Sequence, residues 1–289
     1  MSFSKTLNPL GIFSLVQKQH RSSMSSIAII TPRRSSDRGY ANHGWLDTHH
    51  TFSFASYYDP IHNGFGPLRV LNEDIVQPNQ GFPTHPHREY DIFSYIISGE
   101  LTHTDSMGNV EILKRGDIQH TSTGTGIRHS EWNKHPRLPV HFLQCWVKPD
   151  QHGLSPTYMT VHCSDEEKKN TLVPIVVHHS RIAEQEQKLG HVVPTHGRVQ
   201  VYATLLDKNN SVGLDVSGDG MNAQFYVHVV QSGGPVLLTL SKQDQRVQDR
   251  LEPGDGAYIT DVAKGSRLEL TGQDGLPAEV LLFAMDASY

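Results

Sequence analysis

Hydrophobic residues fall in short bursts along this chain, and the bursts carry the two-residue rhythm of strands. Runs at 91–98, 110–114, 140–147, 199–206, 225–230 and 279–284 are rich in Val, Ile, Leu and aromatic residues. Gly, Pro, Asn and Asp punctuate them. A hairpin signal, Asp105-Ser-Met-Gly-Asn109, separates 101–104 from 110–113. Helical periodicity is confined to short stretches at 165–170 and 181–189. Many short strands without long helices predict an all-β barrel or sandwich architecture from Ile27 onward.

The pattern also repeats. Tyr95-Ile-Ile-Ser-Gly99 followed by Leu113-Lys-Arg-Gly-Asp117 has a second copy in Val229-Val-Gln-Ser-Gly233 followed by Leu251-Glu-Pro-Gly-Asp255. A strand, a Gly turn, a second strand and a Gly-Asp turn appear in each half, so two units of one architecture are expected. The division expected is an N-terminal extension at 1–26, a first barrel at 27–160, a linker at 161–174 and a second barrel at 175–289.

Composition fits this picture and removes several function classes. The chain has 289 residues, 36% hydrophobic and 19% charged, with a formal net charge of -5. No Lys/Arg block is present that would neutralise a phosphate backbone, so direct nucleic-acid binding is not expected. No apolar run approaches a membrane span. Cys145 and Cys163 form no metal or redox spacing, which suits a reducing compartment. The first 36 residues carry Lys5, Lys18, Arg21, Arg33 and Arg34 and no acid. Such a leader reads either as a flexible extension, with Met24 as an alternative start, or as a mitochondrial import signal. The expected location is otherwise cytoplasm, nucleus or both.

Chemistry concentrates in two short motifs, His85-Pro86-His87 and His129-Ser130-Glu131. Residues i and i+2 of a strand share a face and lie about 7 Å apart. Facing residues of an antiparallel pair are about 5 Å apart at Cα. Two such strands side by side would aim His85, His87, His129 and Glu131 at one point. Three imidazoles and a carboxylate suit one divalent transition metal (Fe, Ni, Cu, Co, Mn or Zn) and exclude Ca and Mg. Four protein ligands leave open positions on an octahedral ion, unlike a closed structural zinc. Counting from Gly233 and Asp255, the corresponding residues of the second half are Asp219, Met221, Arg267 and Glu269, so no metal is expected there.

Other histidines have plainer expectations. His49-His50 and His178-His179 read as exposed or capping groups, and His103 and His120 as surface residues, with support of the metal ligands as the alternative. His141 has the phase to face inward with Leu143 and Cys145. Asp91 suits a hydrogen-bonding role better than direct ligation. Phe82, Phe93 and Trp132 flank the site as core packing.

Gly81-Phe-Pro-Thr-His-Pro-His-Arg88 and Gly124-Thr-Gly-Ile-Arg-His-Ser-Glu131 resemble the paired motifs of the pirin family of bicupin proteins. Arg38-Gly-Tyr through Trp45, Ser53-Phe-Ala-Ser-Tyr57, Val70-Leu-Asn-Glu-Asp74, Leu154-Ser-Pro-Thr-Tyr158 and Ala278-Glu-Val-Leu-Leu-Phe283 are similar to further segments of that family. Glu89-Tyr90-Asp91 departs from its usual small-aromatic-Glu sequence. The resemblance implies two tandem antiparallel cupin (double-stranded β-helix) barrels. It implies iron, as Fe(2+), held by His85, His87, His129 and Glu131. It also implies a quercetinase-type oxidoreductase acting on a flavonol with O2, in which Glu131 accepts the flavonol 3-hydroxyl proton. Another role implied by the family is that of an iron-dependent nuclear transcriptional co-regulator without enzymatic activity, acting through a protein partner. A metal protein with a different small-molecule substrate is the third reading.

Overall fold

The computed structural model describes residues 28–182, 192–216 and 223–286. The extension expected at 1–26 and most of the helix expected at 181–189 lie outside the described residues. Strands dominate the rest. One seven-stranded sheet runs, in spatial order, Thr157–His162, Asp117–Ser122, Asp91–Ser98, Val140–Val147, Leu68–Val76, Leu46–His50, Gly39–Asn42. It packs against a four-stranded sheet ordered Gln80–His87, Ile127–Asn133, Glu100–Asp105, Val110–Lys114.

The plan then repeats. A second seven-stranded sheet runs Ile29–Arg33, Gly256–Val262, Ala223–Val229, Ala278–Asp286, Val199–Leu206, Val173–His178, Val193–Thr195. Its four-stranded partner is Ser211–Asp215, Arg267–Gly272, Val236–Lys242, Gln245–Leu251. Pairing is antiparallel except between Val173–His178 and Val193–Thr195. The two tandem cupin barrels expected from the repeat and the resemblance are present. Among the described residues no helix is long and apolar enough to cross a membrane.

Three apolar clusters hold the barrels. The largest joins Phe93, Tyr95, Leu143 and Cys145 of the first half to Val176, Val201, Tyr226 and Phe283 of the second. The seven-stranded sheets are therefore buried on both faces, one toward each barrel interior and one toward the partner barrel. The second barrel is filled by Val227, Leu238, Leu240, Leu268, Leu270 and their neighbours. The first has a smaller apolar end of Leu46, Val76, Ile96, Leu101, Leu113, Val140 and Phe142. The remainder of its interior is polar, and that asymmetry locates the site.

Two expected boundaries need correction. Ile29–Arg33, assigned to the first barrel, pairs with Gly256–Val262 of the second. In the mirror position, Thr157–His162 pairs with Asp117–Ser122 of the first. The stretch expected as a linker is a packed clasp. Ser164 and Glu167 form a capping box on the short helix Asp165–Lys168, which satisfies its first backbone donors. Lys168 is fully buried; its Nζ donates to the Tyr95 hydroxyl at 2.8 Å and lies 3.6 Å from Glu279.

Candidate metal centre

Gln80–His87 is an edge strand, where Pro86 with no N–H can stand without losing a ladder bond. It pairs antiparallel with Ile127–Asn133, and His85 lies directly opposite His129. A register shift falls between His129 and Glu131, a bulge of the kind that re-aims side chains beside functional sites. Glycines permit this approach. A Cβ on Gly81 would collide with the Glu131 carbonyl oxygen and the Trp132 backbone. Gly81→Ala is therefore expected to push the two strands apart and cost about 1–3 kcal/mol of stability, measurable by urea unfolding.

His85, His87 and His129 bring their ligand atoms within 4.8 Å of one another. The Nε2 atoms of His85 and His129 are 3.1 Å apart. Two nitrogens bound at right angles about 2.1 Å from a first-row ion would be separated by about 3.0 Å, so the spacing fits a shared ion. The His87 ring stands nearly perpendicular to the other two, at 83° and 88°. The Nδ1 of His85 is 2.7 Å from the Pro83 carbonyl. Donation to that carbonyl leaves the Nε2 lone pair for a metal.

Burial pulls the His129 pKa down to about 3, with the nearby His85 and His103 adding to the effect. Burial likewise lowers His87 to about 4, reinforced by His129 and His85. Both imidazoles are neutral at physiological pH, which is the metal-binding form. The unfolded chain takes up these protons near pH 6.5, whereas the folded metal-free chain resists them. Stability of the metal-free protein should therefore be complete above pH 6.5 and decline as pH falls toward 4. Urea midpoints measured between pH 7 and pH 4 test this, and an unchanged midpoint would contradict it.

Glu131 is placed differently from the expectation. It is buried, and its oxygens accept from Gln144 Nε2 at 2.7 Å and the Ser94 hydroxyl at 3.3 Å. Its ligand atom clusters with His129 and His103 rather than with His85 and His87. The four expected donors thus form two overlapping triads that share His129. His103 completes the second and is buried, not on the surface. It stacks on Tyr158 at 4.7 Å, and its Nε2 lies 3.4 Å from Asp105. Its signal was its phase, since it shares a strand face with inward-pointing Leu101.

His120 is buried as well, and His50 is buried against Asn72 at 2.9 Å. His141 bonds Glu73 at 3.0 Å. Asp91 plays the hydrogen-bonding role expected of it, accepting from the Thr195 hydroxyl and the His196 N–H. Phe93 is core, and Phe82 packs edge-on against Trp45 at 5.2 Å. The sequence reading missed Gln144, Ser94 and Trp146, whose ring lies 4.8 Å from His87.

The second barrel carries no such triad in its interior among the described residues. Asp219 and Met221 lie outside them. Arg267 points outward and pairs with Asp215 at 2.7 Å. Strand pairing and burial make Leu268 and Leu270 the inward counterparts of His129 and Glu131. Counting from Asp255 misses this by one residue, because the segment from Asp255 to Leu268 is one residue longer than that from Asp117 to His129.

A family model described as Pirin matches residues 32–147. A quercetin 2,3-dioxygenase of Escherichia coli strain K12 is 50% identical over 126 residues, covering 44% of this chain and 54% of that protein. A pirin-like protein of Caulobacter vibrioides is 46% identical over 120 residues, covering 42% of this chain and 51% of its own length. The chain thus spans about half the length of these curated relatives. Over nearly full length it is similar to the crystal structure of the E. coli bacterial pirin YhhW in complex with nickel(II). That match has a TM-score of 0.74 and 32% identity, and covers 89% of this chain and 99% of the other.

Proposed function

This chain belongs to the pirin family, and on that premise we propose that it is a metal-dependent dioxygenase of flavonols such as quercetin. Both atoms of O2 enter the ring-opened ester product, and one ring carbon leaves as carbon monoxide. The observation that carries this reading is the cluster of three imidazoles, with two nitrogens 3.1 Å apart in a barrel half filled with polar groups. The E. coli relative named quercetin 2,3-dioxygenase supports the substrate class. His85, His87 and His129 are the metal ligands, with Glu131 as the fourth. Iron as Fe(2+) is the metal proposed, although the donor set accepts nickel and its neighbours too.

When bound, the ion supplies Lewis acidity toward the flavonol hydroxyl and an electron path to dioxygen. The protein supplies the rest. Glu131 is the carboxylate among the four, so it takes the 3-hydroxyl proton. Gln144 and Ser94 each occupy one lone-pair direction of its oxygens and fix its orientation, leaving others free to accept. A cavity of about 480 Å³ is lined by Pro86, His87, Arg88, Ser106, Gly126 and Arg128, within the usual range for small-molecule sites. His87 borders both the cavity and the imidazole cluster.

The test is direct. Protein loaded anaerobically with Fe, Ni, Co or Cu is mixed with quercetin and air, and the flavonol absorbance should bleach. Glu131→Gln should keep its metal and lose turnover by at least about 100-fold. Failure of every metal to bleach quercetin would retire the flavonol dioxygenase reading and leave the co-regulator role and a different small-molecule substrate.

A further inference from the structure

Where the two barrels meet, Asp150, His178 and His179 bring one carboxylate oxygen and two imidazole nitrogens within 4.8 Å of one another. Asp150 follows Val140–Val147 of the first barrel, and His178 ends Val173–His178 of the second. The Asp150 Oδ2 and His178 Nε2 atoms are 3.4 Å apart. Two donors each about 2.1 Å from a tetrahedral ion would stand about 3.4 Å apart.

Asp150 Oδ1 and His178 Nε2 are buried with no hydrogen-bond partner, a costly state for polar atoms unless another group meets them. His178 Nδ1 accepts from the Ser180 backbone N–H at 3.4 Å and lies 2.8 Å from the Ser180 hydroxyl; a metal on Nε2 would require the tautomer in which Nδ1 carries the proton and donates it to that hydroxyl. The nearest competing cation is Arg198, whose Nε reaches Asp150 Oδ2 at 3.4 Å. Its side chain is 53% exposed and leaves Oδ1 free. A cavity of about 760 Å³ is bordered by Asp150, His152 and Arg198.

We propose that Asp150, His178 and His179 form a second site, for a divalent cation of the zinc, cobalt and nickel class, which staples the first barrel to the second. Two imidazoles in the set favour such ions over calcium or magnesium. Because the donors assemble only when both barrels are folded and docked, the ion stabilises the native chain by mass action. Nothing in this inference depends on flavonol turnover.

The full-length chain carrying His85→Ala and His129→Ala, which removes the first site, is equilibrated with micromolar free Zn2+, desalted and assayed for metal. About one ion per chain should remain, and the melting temperature should rise by about 5 °C. Adding His178→Ala and His179→Ala to that background should abolish both effects. Loss of all zinc from the first variant, or zinc retained by the second, overturns the proposal. Should the first variant not fold, Asp150→Asn in the otherwise native chain should lower the zinc content from about two ions to about one, and unchanged content overturns the site.

Discussion

His129→Ala is expected to empty the N-terminal barrel of its metal and abolish quercetin turnover while leaving the fold intact. His129 is the member common to both donor triads, it is 1% exposed, and it faces His85 across the strand pair. No neighbouring side chain can replace it in both triads. Loss of a supporting hydrogen bond to a metal ligand typically costs 10–100-fold in affinity, so loss of this ligand should exceed about 100-fold. Metal content and circular dichroism of the purified variant check both halves of the expectation. A companion pair separates the two triads. If the ion sits among His85, His87 and His129, His85→Ala should cost more affinity than His103→Ala, and the reverse order would move the ion toward Glu131.

The largest loss of stability is expected from Glu73→Leu. Glu73 is fully buried and accepts from Arg38 at 3.1 Å, His141 at 3.0 Å, His228 at 3.0 Å and the Gln231 N–H at 2.8 Å. Burial pushes its pKa up, but the hydrogen bonds from His141 and His228 and the charge of Arg38 prevail and hold the carboxyl well below its usual range. Two of these partners, His228 and Gln231, come from the second barrel, so the carboxylate binds the halves together. Removing it leaves the buried Arg38 guanidinium uncompensated, a change that costs about 3–5 kcal/mol. For a chain of this size that corresponds to a fall in melting temperature of roughly 10 °C. Arg38→Met combined with Glu73→Leu should recover much of the loss, because a buried pair replaced by apolar groups is often neutral. A single variant as stable as the native chain would show that the cluster is not holding the barrels. The folded pKa is depressed, so this contribution is complete above the unfolded carboxylate value and disappears as pH falls below it.

Much of this was legible in the chain because strands announce themselves through alternation and turns through glycine. The spacing of His85 with His87 and of His129 with Glu131 placed two donor pairs on one face, and the hairpin between them brought the strands together. The repeat of Gly-Asp turns announced the second barrel. What stayed hidden has physical reasons. Gln144 lies on Val140–Val147, buried on nearly all sides, and a strand covered on both faces shows no polar alternation to fix its phase. The register shift that sets Glu131 opposite Phe82 depends on the strand pairing, which local sequence does not set. Ile29–Arg33 finds its partner in Gly256–Val262, at the far end of the chain, and no local pattern encodes so distant a pairing. Lys168 looked like a linker charge, and only Tyr95 and Glu279, distant in sequence, explain its burial.

The central claim is that one transition ion sits among the imidazoles of the edge strand and its neighbour. Anomalous diffraction at the absorption edge of the loaded metal tests it most directly. The expected result is a peak about 2.1 Å from a ring nitrogen of each of His85, His87 and His129. A map with no peak at that point, or with metal bound while those three imidazoles remain unligated, would contradict it.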